Sequence, residues 1–507
     1  MLPYDATSVT AIAAAAACLI AAWRCPRSSL SLTLVLLAAL IIRIDPARQT
    51  SLHKWDEQFH AVVAKHMMTH PFQPELYQHP LGEVDPDDWT EGHVWLHKPP
   101  LAMWLMALSM KAFGVGAFAM RLPSVILSTL CVLLTFVIGR RLFDDRVGLL
   151  AAGFQAVNGL LASLASGRRV ADHVDTLLIA CVELGMALLF VSGHVAPEGG
   201  LPSVGVAVLI GLTLGAGILA KSAPALIVVV VAAVLWAPVR PFRRGAGRLA
   251  LVAFSAMALV LPWQIYTHIA FPREAAAAAA YTLRHTTHVV EGHGGPFWAY
   301  IADLPRYYGE LVYIPLAWFL GWAWQRKGSS NVRALAAWLI VPYAVFSAMP
   351  TKLPEFVAIA APAVFICEAA FWHHLRQLPV HRRPARIAVQ VLMLLLLVLP
   401  ARNLLQPRGV FARRDRHPPN VADLMTLDRR VGTPNAVVFN VPTAIEAMFY
   451  SRYDAYSRLP TAEEIQAYAR RGTTVVVYVP KNEAAPSFPA GSPVRILRQG
   501  EPPKPKA

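Results

Sequence analysis

The stretch Lys54-Trp55-Asp56-Glu57-Gln58-Phe59-His60 places two adjacent carboxylates directly after an apolar run. Ionisable groups at a membrane boundary are costly and need a task. A carboxylate within reach of a hydroxyl can serve as a general base. Sequence neighbours point in different directions, so Asp56 and Glu57 cannot face one reacting atom together. One works, and the other orients it or its helix. Asp56 and His60 are four residues apart and can share a helix face. The competing reading is a solvated helix start, where the helix dipole favours acids.

A second set of residues is cationic. Lys98 precedes Pro99 and Pro100, which fix the backbone and pin the lysine near the bilayer surface. A lipid phosphate is its natural partner there, and snorkelling is the alternative. Arg168, Arg169, Asp172, His173 and Asp175 crowd one short loop between apolar runs. The arginines suit a phosphate, with an aspartate orienting them or a sugar; mutual charge pairing is the other reading. Lys221 ends a run containing Gly211, Gly215 and Gly217, a pattern of close helix packing rather than of a phosphate loop. Lys352 lies in Pro-Thr-Lys-Leu-Pro. Arg284, His285, His288 and His293 share a long loop but lack His-Glu-X-X-His or similar spacing, so no metal or other cofactor is expected. The Gly-X-Ser-X-Gly, P-loop and dinucleotide motifs are absent.

The elements that must position these groups are membrane helices. Of the 507 residues, 56% are hydrophobic and 15% charged, against about 25% charged in soluble proteins. Apolar runs of roughly 15–20 residues recur over the first four-fifths of the chain. The net charge of +15 is scattered between those runs. That pattern fits topology-setting cytoplasmic loops or attraction to anionic lipid and phosphate, and not nucleic acid. Cys18, Cys25, Cys131, Cys181 and Cys367 lie in or beside apolar runs, so no disulfide framework or cysteine metal site is indicated. The N-terminal run lacks a preceding basic residue and does not read as a cleavable signal.

Runs near 8–23, 29–44, 119–139, 147–165, 174–193, 204–220, 223–238, 249–270, 310–325, 333–349, 356–373 and 386–402 predict about 12 spans. The positive-inside rule then puts the basic loops 140–146, 240–248, 326–333 and 376–386 in the cytoplasm and both termini outside. The outer face collects the Asp56 loop, the Arg168–Asp175 loop, Lys221, loop 271–309, the Lys352 turn and the C-terminal part. Within the first outer loop, 45–118, Phe59, Val62, Val63 and Met67 predict a surface helix with one apolar face. Segment 101–113 is short for a span and reads as interfacial or re-entrant. After about 405 the composition becomes polar. Segments 437–441 and 474–479 read as strands, and 443–451 and 461–471 as helices, the second opened by a Thr461/Glu464 capping box. The expected organisation is an all-α polytopic membrane domain over 1–404, a small α/β domain over 405–485 and a flexible tail over 486–507.

With these pieces in order, the chain resembles the GT-C glycosyltransferases, most of all the bacterial aminoarabinose lipid A transferases and the related protein O-mannosyltransferases. The resemblance covers about residues 50–370. It rests on Trp55-Asp56-Glu57, Lys98-Pro99-Pro100-Leu101 with Trp104, Arg121-Leu122-Pro123-Ser124, and Asp175 followed by Leu177-Leu178. Further pieces are Gly215 to Lys221, Pro262-Trp263, Gly292-His293 with Tyr300, and Lys352 before Pro362. It implies transfer with inversion from a polyprenyl-phosphate-linked sugar to lipid A, another glycolipid or a cell-envelope glycan. The reaction would run on the periplasmic face of the bacterial inner membrane. Transfer to protein Ser/Thr is the near alternative. By the same resemblance, Asp56 deprotonates the acceptor with Glu57 in support, and Lys98, Arg168, Arg169 and Lys352 bind the donor phosphate. Asp175, Asp172, His60, His293 and Tyr300 contact the substrates. Two places depart from the aminoarabinose pattern: Phe59 and His60 stand where Arg-Tyr is usual, and Phe356 where a Tyr is usual. A transporter or flippase would instead show ionisable residues at span centres and two repeated halves. Here Glu183 and Glu368 are the exceptions to charges at span ends. A membrane scaffold whose C-terminal part binds a partner is the third class.

Overall fold

The computed structural model describes residues 4–25, 27–81, 85–169, 173–192, 201–406, 409–489 and 491–502. Asp172 lies outside the described residues. The chain divides into two compact units. One comprises 1–47, 124–272 and 279–414; the other comprises 48–123, 273–278 and 415–507.

The chain is a multi-pass membrane protein. Among the described residues nine helices are long and apolar enough to cross a bilayer, or ten if the pair Asp145–Val157 and Gly159–Ala165 is one span. The count falls below about 12 for local reasons. Asn158 breaks that pair: its side chain accepts from the Leu161 N–H at 3.1 Å, and the two helices bend by 58°. Run 223–238 becomes a 3-10 turn, Ala223–Leu226, and a 10-residue helix, Ile227–Trp236. Run 310–325 is helical over Tyr313–Gln325. Such a helix is about 20 Å long, short of a roughly 30 Å hydrocarbon core. Leu101–Phe113 has 13 residues and meets the same limit.

In the first unit the helices Val204–Lys221 and Phe242–Ala270 pack through small residues. A Cβ at Gly211 would lie 2.5 Å from the Val252 carbonyl oxygen, and one at Gly215 would lie 2.9 Å from that of Ala256. Backbones can approach this closely only without a side chain between them. The interior also holds satisfied polar groups. Arg43 is fully buried and donates to Ser128 Oγ at 2.7 Å and to the Ala39 and Ala156 carbonyls at 3.0 and 3.1 Å. Glu183 accepts from Thr135 Oγ1 at 2.5 Å and Gln155 Nε2 at 3.0 Å. Glu183 is therefore held by the bundle itself. Near the basic turns, Phe143 meets Trp322 at 5.6 Å and Arg248 Nε donates to the Pro202 carbonyl at 3.0 Å. Lys221, at the C-terminal end of the helix Val204–Lys221, pairs with Asp175.

The second unit contains a parallel sheet of β1 (Ala436–Phe439), β2 (Asp454–Ala455), β3 (Thr474–Val479) and β4 (Val494–Arg498), in the order β2-β1-β3-β4. Its central strands are Val-rich because both faces are covered. Helix Ala462–Arg470 carries the capping box of Thr461 and Glu464. β4 lies inside 486–507, the segment expected to be a flexible tail. It is held by pairing to β3 and by Arg495, which donates to the Val431 and Arg430 carbonyls at 2.5 and 2.9 Å. The surrounding prolines hide a five-residue strand from a compositional reading.

Segment 48–123 is built into the same unit as the sheet. The Leu52 N–H donates to Glu446 at 2.7 Å. Gln78 and His79 donate their N–H groups to Asp454 at 3.0 and 2.7 Å. Lys65 Nζ donates to the carbonyls of Met448, at 2.6 Å, and Ser451. The helix Asp56–His66 packs on Leu101–Phe113 and on Ala444–Tyr450. Phe59, Val62, Val63 and Met67 are buried as the spacing requires, but so are Glu57, Gln58, His60 and Ala64. The helix expected at the surface is thus covered beyond its one apolar face.

Burial pushes the Glu446 carboxyl up to about 7, against the Leu52 N–H, which favours the anion; the Glu57 charge pushes it up and Arg121 opposes. A carboxyl raised above its unfolded value of 4.5 holds a proton more tightly when folded. Its stabilising contribution is full below the unfolded value and is lost as pH rises through about 7. Glu446→Gln should therefore remove part of the stability lost between weakly acidic and weakly basic pH. The check is the hydrogen-exchange rate of the Leu52 amide in both proteins, which should converge at low pH and diverge at pH above Glu446's folded value.

Candidate active site

Asp56 opens its helix under unusual backbone conditions. Trp55, the preceding cap residue, has φ 70° and ψ −129°, a left-handed conformation that is rare and strained for a residue with a bulky side chain. Asp56 is half-buried. Among the described residues its carboxylate makes no hydrogen bond or ion pair.

Glu57 is the opposite case. It is wholly buried, and both oxygens are occupied. Arg121 Nε meets Oε1 at 2.6 Å and Nη2 meets Oε2 at 2.8 Å. The His53 N–H donates to Oε2 at 2.5 Å. The remaining Arg121 donors go to the Gln49 and Ser51 carbonyls at 2.5 and 2.8 Å. Two-point pairing of this kind fixes geometry as well as charge. Of the two adjacent acids, Glu57 is thus the anchored one, and Asp56 has no partner among the described residues.

His60 is fully buried, with its ring 5.4 Å from Trp95 at 76°, which makes it a core residue of this unit rather than one presented to a substrate. Lys98 is half-buried with Nζ 3.2 Å from His97 Nε2. A run of ring contacts joins the two ends of the site. Trp55 lies 6.2 Å from Trp89, and Trp89 stacks on His97 at 4.5 Å and 13°. The residues preceding Asp56 and Lys98 thus share one aromatic cluster. Trp89 and His97 were not singled out from sequence; the only signal was a tryptophan in an otherwise charged loop.

In the first unit, Arg168 is 8% exposed and Arg169 half-buried. The Arg169 guanidinium lies 5.9 Å from the Tyr307 ring. The Asn158 amide secures that region by donating to the Tyr307 carbonyl at 2.8 Å. Asp175 is buried and pairs with Lys221 Nζ at 2.6 Å, and Lys221 also sits 5.2 Å from the Phe356 ring. Ser222, directly after Lys221, has φ 63°, a second strained residue beside a charged one. Glu355, buried and missed from sequence, lies within electrostatic reach of Asp175, Lys221 and Arg169.

Lys352 departs from its expected role at the donor phosphate. Its ammonium donates to the carbonyls of Phe346 at 3.1 Å, Ser347 at 2.8 Å and Met349. Three donors are matched by three acceptors, so Lys352 caps the end of helix Ser330–Ala348. The Lys352 N–H donates to the His293 carbonyl at 2.6 Å, and the Leu353 N–H to Tyr300 Oη at 3.1 Å. Tyr300 is buried and His293 exposed. Tyr300 braces the turn rather than offering its hydroxyl outward. Among the described residues no group of three or more His, Cys, Asp or Glu could hold a metal ion.

A profile of the dolichyl-phosphate-mannose-protein mannosyltransferase family matches residues 97–266. An undecaprenyl phosphate-alpha-4-amino-4-deoxy-L-arabinose arabinosyl transferase from Pseudomonas aeruginosa is 31% identical over 288 residues, 53% of this chain and 49% of the relative. The chain spans about half the length of the curated relatives it matches. Among solved structures, ArnT from Cupriavidus metallidurans bound to undecaprenyl phosphate superposes with a TM-score of 0.61. That match has 16% identity and covers 87% of each chain. The archaeal oligosaccharyltransferase AglB from Archaeoglobus fulgidus, with an inhibitory peptide and a dolichol-phosphate, reaches 0.56 at 14% identity, over 85% of this chain and 64% of that one. The chain therefore resembles GT-C glycosyltransferases in sequence and shares their fold.

Glu57→Gln leaves a buried guanidinium without its counter-charge. It should destabilise the protein by about 3–5 kcal/mol, as breaking one side of a buried pair does. The paired change Glu57→Gln with Arg121→Met should recover part of that loss. Unfolding of the detergent-solubilised protein by denaturant measures both.

Proposed function

We propose that the protein is an inverting membrane glycosyltransferase. It moves a sugar from a polyprenyl-phosphate carrier to a hydroxyl of lipid A, another glycolipid or a cell-envelope glycan. The reaction runs on the periplasmic face of a bacterial inner membrane. The observation that carries this reading is the contrast at one helix start: Glu57 saturated by Arg121, and Asp56 beside it without a partner among the described residues. The similarity to enzymes named for undecaprenyl-phosphate sugars supports the donor class.

In the proposed step Asp56 takes the proton of the acceptor hydroxyl as its oxygen attacks the anomeric carbon. The bond from that carbon to the carrier phosphate breaks, and the electron pair leaves on the phosphate oxygen. Lys98, Arg168 and Arg169 are the cations assigned to that developing charge. A single displacement inverts the anomeric centre. The carrier brings the sugar to the membrane already activated, so no nucleotide is required. A second reading, transfer to protein Ser/Thr, is favoured by the profile match over 97–266; the chemistry at Asp56 would be the same.

Asp56→Asn should lower turnover about 10²- to 10⁴-fold, the usual contribution of a general base, while leaving donor affinity within a few-fold. The assay follows a radiolabelled polyprenyl-phosphate sugar with purified protein and envelope lipid extract. Undiminished turnover would overturn the assignment of the base.

A further inference from the structure

We infer that Glu355 recognises the sugar carried by the donor, accepting a hydrogen bond from an O–H or N–H of that sugar. The inference rests on the functional reading above and deepens it. Glu355 is 4% exposed, and among the described residues its Oε2 has no hydrogen-bond partner. A buried carboxylate oxygen left without a donor is expensive, and such groups in native proteins call for an explanation.

The surroundings narrow what could fill it. Glu355 follows Pro354 in a 3-10 turn, Pro354–Ala360, that packs on the helix His173–Ser192. Pro354 and this packing hold the carboxylate in place, so it cannot readily swing out to solvent. Asp175, Lys221 and Arg169 are its charged neighbours. Asp175 and Lys221 already pair at 2.6 Å, and the two acids and two cations of the cluster sum to zero formal charge. With Asp175 and Lys221 paired and Arg169 assigned to the carrier phosphate, the Glu355 oxygen remains as a fixed acceptor for a neutral or cationic hydrogen-bond donor. A sugar ring offers such donors, and an amino sugar adds a cationic one. Phe356, adjacent in sequence and 5.2 Å from Lys221 Nζ, supplies an apolar wall beside the same group.

The assignment separates the sugar from the carrier, and binding can do the same. The full-length protein in nanodiscs is titrated with bare undecaprenyl phosphate and with the same carrier bearing either 4-amino-4-deoxy-arabinose or a neutral hexose. Glu355→Gln should bind the bare carrier as the wild type does. It should lose about 10- to 100-fold in affinity for whichever sugar-bearing donor the wild type prefers, the range for a lost hydrogen bond to a charged group. Glu355→Asp keeps the charge but withdraws the oxygen by one methylene, and should show the same split with a smaller loss; it also serves if the Gln variant fails to fold. If the variants bind donor and bare carrier with equal losses, or with none, the assignment is overturned while the functional reading stands. If the wild type binds neither, the functional reading falls and takes this assignment with it.

Discussion

The buried pair between Glu57 and Arg121 is the constraint on which the candidate site depends. Two hydrogen bonds of 2.6 and 2.8 Å fix Glu57. The other Arg121 donors fix the chain at Gln49 and Ser51, and His53 closes the loop by donating to Glu57. The backbone at Gln49, Ser51 and His53, just before the Asp56–His66 helix, is thus tied to this pair. The strained Trp55 is tolerated inside that network. A working carboxylate needs its position set by something else, because a group that anchors itself has no lone pairs left for chemistry. In the proposed reaction Glu57 supplies that anchor and leaves the adjacent Asp56 for the chemistry.

The same division runs through the first unit. Charges in a membrane bundle are either satisfied inside it or kept at helix ends. Arg43 and Glu183 belong to the first kind, surrounded by Ser128, Thr135, Gln155 and backbone carbonyls. Asp175, Lys221 and Arg169 belong to the second. Lys352 looks like the second kind by position, yet its three carbonyl partners make it a helix cap. Counting charges at helix ends does not reveal which of them are spoken for.

Much of the architecture was readable because its causes are local. Apolar runs mark the helices, Gly211 and Gly215 mark a close crossing that the Val252 and Ala256 carbonyls bear out, and Thr461 with Glu464 marks a capped helix start. The features that escaped are those whose causes are distant or weak. Nothing near Glu57 announces a partner 64 residues away. Asn158 looks like any polar residue in an apolar run until it caps a broken helix. β4 is hidden by prolines on either side, and Glu355 by its place beside the more conspicuous Lys352. Asp56, Asp175 and the two arginines could be chosen as candidates by residue type, whereas which charges are already paired needed geometry.

The most direct test of the account is the anomeric configuration of the first-formed product, read by nuclear magnetic resonance against that of the lipid-linked donor. A general base at Asp56 and a single displacement predict inversion. A product with the donor's configuration would require two displacements through a glycosyl-enzyme, and would contradict the role given to Asp56.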